Sequence, residues 1–177
     1  PKSMQNIIRG LNDEALKLET ASKEELEKAI VTGKYYVDGE KLTITAGDVK
    51  TKINKVLEQL VGQVYKDLQL VTKNADTDED VKKVLRGDIQ VDVFGKQENC
   101  EAAAKIAEYL QMQDNKRIAV SMADIQSRYQ AKPYGWKEID IAAVVAMLIF
   151  QQKVTLKYMG ETVQPNNPRL PELLRKR

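Results

Sequence analysis

The fold of this chain is decided by one stretch, Tyr134-Gly135-Trp136-Lys137-Glu138-Ile139-Asp140-Ile141-Ala142-Ala143-Val144-Val145-Ala146-Met147-Leu148-Ile149-Phe150. From Ile141 to Phe150 no side chain is polar, so a helix here is apolar on every side and belongs in the centre of a domain. The apolar run of about ten residues is too short to cross a membrane, which takes roughly twenty. We therefore expect the chain after residue 99 to pack around this helix.

The segments on both sides of this helix follow the order of a winged helix. Asn99 is placed to cap the helix that follows it. Ser121-Met122-Ala123-Asp124 is a second capping signal and starts another helix, which Pro133 ends. A short extended piece at 118–120 separates these two helices. After the apolar helix, residues 154–159 and 162–164 form two strands around the turn Gly160-Glu161.

The first half of the chain is predicted to be helical with one small hairpin. Apolar residues spaced by three and four predict a helix that ends near Thr20, and the capping-box pattern beginning at Ser22 predicts a second one that Gly33 stops. Asp38-Gly39 favours a tight turn in a β-hairpin near 35–44. A third helix over 49–71 should be the longest and should support the other two, with Gly62 at a close helix contact.

The acidic run at 76–80 resembles the start of a calcium loop but lacks the glycine and glutamate that such a loop needs at its sixth and twelfth positions. We interpret it as the first turn of a short helix capped by Thr77 and closed by Gly87. The alternation over 88–94 predicts a half-buried strand, with an extended linker that has three anchoring side chains as the alternative. This segment is the expected hinge between the halves.

The predicted fold class is α+β and mainly α: a helical N-terminal half with a small β-hairpin, followed by a winged-helix-like domain. The corresponding domains are a helical region at 1–95 with the hairpin near 35–44, a winged-helix-like domain at 96–164 and a C-terminal tail at 165–177. Pro171 is placed to begin one last helical turn in that tail. The tail's terminal basic residues are expected to be solvated.

The composition excludes several kinds of site. The 177 residues contain no histidine and a single cysteine, Cys100, so a zinc site, a Ser-His-Asp triad and an internal disulfide are absent. Gly33-Lys34 does not belong to a P-loop. We therefore predict no catalytic residue, no cofactor site and no metal site. The cysteine usage and the lack of a signal or membrane segment favour a cytoplasmic protein, and Pro1 in place of an initiator Met fits processing or a fragment of a longer chain.

A winged helix suggests DNA binding through its third helix, but the sequence of that helix argues against base reading. The residues on one of its faces are Lys137, Asp140, Val144, Met147 and Gln151. Base reading usually needs several Arg, Lys, Asn or Gln side chains there. Sequence-independent contact with phosphates remains a hypothesis, with five candidate nucleic-acid contacts: Lys132, Tyr134, Lys137, Lys153 and Lys157.

Tyr134, Gly135 and Trp136 form the structural motif before the apolar helix. The aromatic pair could stack against a base. The sole tryptophan of a small domain is more often buried, however, so we predict that Trp136 fills the core beneath the helix.

The turn Pro133-Tyr134-Gly135-Trp136, followed by an acidic residue, an alanine-rich apolar helix and a hairpin, resembles the C-terminal part of the large P-loop protein of BREX phage-defence systems, the BrxC or PglY type. The resemblance covers about residues 99–164. It implies a segment of a bacterial AAA-like ATPase whose nucleotide site lies elsewhere in the parent protein.

On this resemblance, the leading functional hypothesis is a non-catalytic accessory region that makes protein contacts within a defence assembly. Its partners would be other regions or subunits of that assembly, with no membrane partner. The alternative is a winged-helix module that contacts DNA phosphates without sequence preference.

Overall fold

The computed structural model describes residues 2–91, 93 and 95–176, and it divides the chain into two compact units, 1–63 and 64–177. Helices dominate, and each unit contains one two-stranded antiparallel hairpin. The predicted fold class is therefore confirmed. Residues 64–95, which the sequence grouped with the helical half, lie in the second unit.

The first unit begins with a single helix, α1, at Lys2–Thr32. The prediction of two helices divided near Thr20 was wrong. Thr20 donates its hydroxyl to the carbonyl of Leu16 at 2.9 Å, as a threonine inside a helix does, and Ser22 continues the helix instead of capping a new one. Neither glycine nor proline interrupts the sequence at this point, so nothing there ends the helix.

The hairpin of the first unit consists of β1, Tyr35–Val37, and β2, Glu40–Leu42, paired so that Tyr35 is opposite Leu42. Asp38 and Gly39 have φ angles of 51° and 84°, as the predicted tight turn requires. The helix α2 then spans Val49–Val64.

The predictions for α2 were wrong in four respects. It ends at Val64 instead of continuing to 71, and at 16 residues it is about half the length of α1, which has 31. It does not form a buried support, because Ile53, Leu57 and Leu60 are exposed. A Cβ on Gly62 would meet nothing within 4 Å, so this glycine does not mark a helix contact.

The second unit contains the core. Its elements, in order, are a 3-10 turn at Leu68–Leu70, α3 at Asp78–Leu85, α4 at Cys100–Asn115, α5 at Met122–Gln130, α6 at Glu138–Phe150, β3 at Leu156–Tyr158, β4 at Glu161–Val163 and α7 at Leu170–Arg175. The strands pair with Leu156 opposite Val163, and the turn between them is Met159-Gly160. The sequence had placed that turn one residue later.

The central helix is α6, as predicted. Every residue from Ile141 to Ile149 is buried, and the helix packs against α3, α4, α5 and α7. Phe150 is the exception because it is partly exposed. Its ring covers Gly87, where an added Cβ would lie 2.4 Å from the ring.

The short helix α3 has the predicted cap. Thr77 accepts a hydrogen bond from the Asp80 amide at 3.4 Å, and the Asp80 carboxylate accepts from the Thr77 amide at 3.1 Å. Hydrogen bonds from the Thr77 hydroxyl, then from Lys83 and from the backbone amides of Asp76 and Thr77, lower the pKa of Asp80 to about 2. Gly87 follows the helix with a φ of 87°. The acidic run is therefore the first turn of a helix.

The half-buried strand expected over 88–94 is wrong for the residues that can be described, and positions 92 and 94 lie outside them. Residues 88–90 have no regular structure, and Val91 forms a single bridge with Gln97. Val91 and Val93 are exposed, while Ile89 packs against the core. Of the described side chains in this connection, Ile89 anchors it to the core, whereas the alternative derived from the sequence expected three anchoring side chains.

Asn99 occupies the N-cap position of α4 without capping it. Its φ is 58°, and its side chain turns away from the helix. The Asn99 side-chain oxygen accepts from the backbone amides of Thr72 at 2.8 Å and Lys73 at 2.9 Å, and the Asn99 side-chain amide donates to the Lys73 carbonyl at 2.8 Å. Asn99 thus ties the chain before α3 to the start of α4.

The C-terminal segment is part of the core instead of a tail. Leu170, Leu173 and Leu174 of α7 are buried, and Pro171 lies in the first turn as expected. Arg175 is not merely solvated, because it forms ion pairs with Asp78 and Glu138. Among the described residues, no helix is both long enough and apolar enough to cross a membrane.

Candidate protein-contact and nucleic-acid surfaces

The turn before α6 holds an aromatic cluster. The rings of Trp136 and Tyr129 stack with centroids 4.9 Å apart and planes 11° apart, while Tyr134 lies 4.6 Å from Tyr129 and 5.1 Å from Trp136. Trp136 is 2% exposed. The prediction that Trp136 fills the core is confirmed, and neither face of its indole is free to stack on a base.

Hydrogen bonds fix the cluster on both sides. The Trp136 indole donates to the carbonyl of Asp67 at 2.9 Å, and the Asp67 amide donates to the carbonyl of Pro133 at 3.1 Å. The Tyr129 hydroxyl donates to the carbonyl of Lys105 at 2.7 Å. Burial raises the pKa of Tyr129, so the hydroxyl keeps the proton that this bond uses.

Gly135 allows the turn to approach Tyr65. Its φ is 66°, and an added Cβ would lie 2.5 Å from the Tyr65 ring. Side chains other than glycine adopt this φ rarely, and here the space is also occupied. Each residue of the motif Tyr134-Gly135-Trp136 is buried or half-buried.

The face of α6 that a DNA-reading winged helix would present is buried. Asp140, Val144 and Met147 on that face are all buried, and α3 and α7 are among the helices that pack against α6. The Asp140 carboxylate, which the sequence had placed toward DNA, accepts from the Ala75 amide at 2.7 Å and the Asn74 side chain at 2.9 Å.

Arg175 of α7 connects α3 and α6 at their first turns. Its guanidinium bonds Asp78 of α3 at 2.7 Å and Glu138 of α6 at 3.2 Å. These two carboxylates, Asp78 first, raise the pKa of Arg175. One side chain of α7 thus links the first turns of α3 and α6, an arrangement that the sequence analysis missed. The spacing of Leu170, Leu173 and Leu174 was the signal that α7 packs inward.

The structure separates the five candidate nucleic-acid contacts. Lys132 and Lys137 are exposed on the turn before α6, whereas Tyr134 is half-buried among the aromatic rings. Lys153 and Lys157 follow α6 in the sequence and are exposed. Both line a groove beside the β3–β4 hairpin, which is the wing of the domain.

We call this feature the wing groove. It has a volume of about 960 Å³ and is lined by residues 118–123 and 153–158, by side chains of α4 and by the end of α7. Its apolar lining includes Leu110, Ile118 and Leu156. Its charged side chains are Lys153, Lys157, Lys176 and Asp114. The groove therefore has a mixed apolar and polar lining with more basic than acidic side chains.

A second surface without a partner, which we call the α1 stripe, lies on the first unit. It consists of large apolar side chains with exposed fractions between 52% and 65%: Met4, Ile7, Ile8, Leu11, Leu16, Leu18 and Leu26. Among residues 3–63, no hydrophobic side chain is buried. Most of these residues recur every three or four positions, so they follow one side of the helix.

Within the described part of the chain, no three His, Cys, Asp or Glu side chains are grouped closely enough to hold a metal ion. Cys100 is a free thiol at the start of α4.

Comparison with known families gives two matches. The family model of the BREX ATP-binding protein BrxC winged helix-turn-helix domain matches residues 67–177. The model of the BREX ATP-binding protein BrxC 4th domain with six-stranded beta sheet matches residues 1–60. No solved structure matches the chain. Both family matches agree with the resemblance found around residues 133–136.

Proposed function

This chain belongs to the BrxC family of BREX phage-defence proteins, and we propose that it serves there as a non-catalytic module for protein contacts within the defence assembly. The observation that carries this proposal is the α1 stripe. Monomeric soluble proteins rarely expose a continuous apolar patch larger than roughly 300–600 Å², and larger patches usually mark an interface.

Among the other regions and subunits of the assembly, we assign the partner of the α1 stripe to another region of BrxC itself, a β-sheet of the same domain. The family model that matches residues 1–60 is described as six-stranded, whereas the first unit contains the two strands β1 and β2. An isolated two-stranded hairpin is marginally stable in water, and a sheet with one apolar face is usually covered by helices. The stripe supplies such a cover.

A photo-crosslinking experiment tests this contact. We expect benzoylphenylalanine at Leu11 of BrxC, produced together with the other BREX proteins, to crosslink to strand peptides of the fourth domain. Asp13 provides the matched control, because at about 100° per residue its side chain points roughly to the opposite side of α1. Mass spectrometry of the crosslinked peptides identifies the partner. Absence of protein adducts at Leu11, or equal adducts at both positions, would contradict the proposal.

The alternative is a winged-helix module that contacts DNA phosphates, and the exposed Lys132, Lys137, Lys153 and Lys157 favour it. The covered face of α6 speaks against base reading, so we expect the chain to show no preference between duplex sequences. The DNA hypothesis requires binding that falls steeply with salt, with a log–log slope of about 0.9 per phosphate contacted.

Gel shifts at several salt concentrations decide between the two hypotheses. The DNA hypothesis predicts that K153Q and K157Q each reduce the slope by about 1. The contact-module hypothesis predicts binding too weak to depend on these lysines. A strong, lysine-dependent shift with unrelated duplexes would favour the DNA-binding function.

A further inference from the structure

We propose that the wing groove binds an extended acidic segment of a partner protein, which adds as a strand along the free edge of β3. This is a different surface from the α1 stripe, and the inference does not depend on the contact assigned to that stripe. The supporting observations are the backbone of β3, the unpaired segment 118–120 and the charge of the groove.

The backbone of β3 has a free edge. The hairpin β3–β4 has a two-residue turn, so its closing pair, Tyr158 and Glu161, is the hydrogen-bonded kind and the next pair, Lys157 and Thr162, is not. The amide and carbonyl of Lys157 therefore point away from β4. The sheet has two strands in the described chain, and no third strand takes up these groups. Such an edge is a template for a further strand.

The segment 118–120 leaves the groove open. The sequence predicts an extended piece there, and the structure does not pair it with β3. Ile118 is 52% exposed although its side chain is large and apolar. Both this segment and β3 line the groove, so an incoming chain meets an apolar surface beside an unpaired strand edge.

The charges of the groove select the partner. Three lysines and one aspartate line it: Lys157 belongs to β3, Lys153 precedes it, and Lys176 is also paired with Glu172. Successive side chains of an added strand point to opposite faces, so one face can carry apolar residues toward Ile118 and Leu156 and the other acidic residues toward the lysines. The expected partner segment therefore alternates apolar and acidic residues. Duplex DNA would use the lysines but neither the apolar lining nor the strand edge.

The first test is selection of random twelve-residue peptides, displayed on phage, with the 177-residue chain as bait. We expect the enriched sequences to alternate apolar and acidic residues and to lack proline in the paired segment. The double variant K153E/K157E should weaken their binding at least tenfold. The matched control K132E/K137E makes the same charge change on exposed lysines outside the groove and should leave binding unchanged.

The second test separates strand addition from simple charge attraction. N-methylation of alternate residues of a selected peptide should abolish binding in one register and leave it unchanged when moved by one residue, because only every second amide pairs with β3. The proposal would be overturned by a lack of enrichment, by selection of basic peptides, or by equal loss of binding in both double variants. It would also be overturned if binding did not depend on the N-methyl register, or if a second copy of this chain occupied the groove.

Discussion

Replacing Trp136 with alanine should destabilise the second unit by about 3–5 kcal/mol, as loss of a buried tryptophan typically does. The substitution removes the stack on Tyr129 at 4.9 Å and the hydrogen bond to the carbonyl of Asp67 at 2.9 Å. A domain of ordinary stability has about 5–15 kcal/mol in total, so this loss would unfold a domain near the lower limit and lower the melting temperature of a more stable one. Thermal and urea unfolding followed by circular dichroism measure the loss.

The control is Met159→Ala at the tip of the wing. Met159 is 87% exposed, and exposed substitutions usually change stability by less than about 0.5 kcal/mol. In the unmodified chain, Trp136 is the sole tryptophan, so its fluorescence reports on this site alone. We expect blue-shifted emission that iodide quenches poorly. A red-shifted, readily quenched signal together with unchanged stability of Trp136→Ala would support an exposed platform for bases.

Sequence patterns predicted those parts of the fold that depend on residues close together in the chain. The run from Ile141 to Ile149 has no polar side to expose, so its burial follows from composition alone. The caps at Thr77 and Ser121 depend on a carboxylate three residues later, and both form as capping boxes. The hairpin at Asp38-Gly39 follows from its positive φ angles.

Local patterns also produced the main error in the first unit. Ser22-Lys23-Glu24-Glu25 satisfies the capping-box pattern, but lysine and glutamate are equally good residues for the interior of a helix. A capping box starts a helix only where the preceding chain leaves the helical conformation. No breaker causes that near Thr20, so α1 continues through the pattern.

The features that the sequence did not reveal depend on contacts between distant residues. The chain leaves the helical conformation after Val64, and Asp67 then bonds with Pro133 and Trp136, which lie far along the sequence. Asp140 has its partners at Asn74 and Ala75. A periodic pattern says which side of a helix is apolar but not which element covers the polar positions.

The candidate sites also divide into those that the sequence predicted and those that it did not. The burial of Trp136 was predictable because a sole tryptophan has few other uses in a small domain. The wing groove was not, because Lys153 and Lys157 acquire a common environment only when β3 folds beside residues 118–120. The α1 stripe was visible as periodicity, but the periodicity predicted a buried face, whereas the side chains are exposed.

Replacing Leu174 with alanine should destabilise the second unit by about 2–5 kcal/mol, because a fully buried leucine loses both its transfer free energy and its packing. Leu174 has no exposed surface, and its carbonyl accepts a hydrogen bond from the buried Gln126 at 3.2 Å. Urea unfolding followed by Trp136 fluorescence measures this unit without a signal from the first. Glu172→Ala is the matched control on the same helix, since Glu172 is exposed and its ion pair with Lys176 is worth at most about 1 kcal/mol. A Leu174→Ala midpoint equal to that of Glu172→Ala would mean that residues 165–177 are a dispensable tail; a large difference would establish α7 as the element that closes the core over α3 and α6.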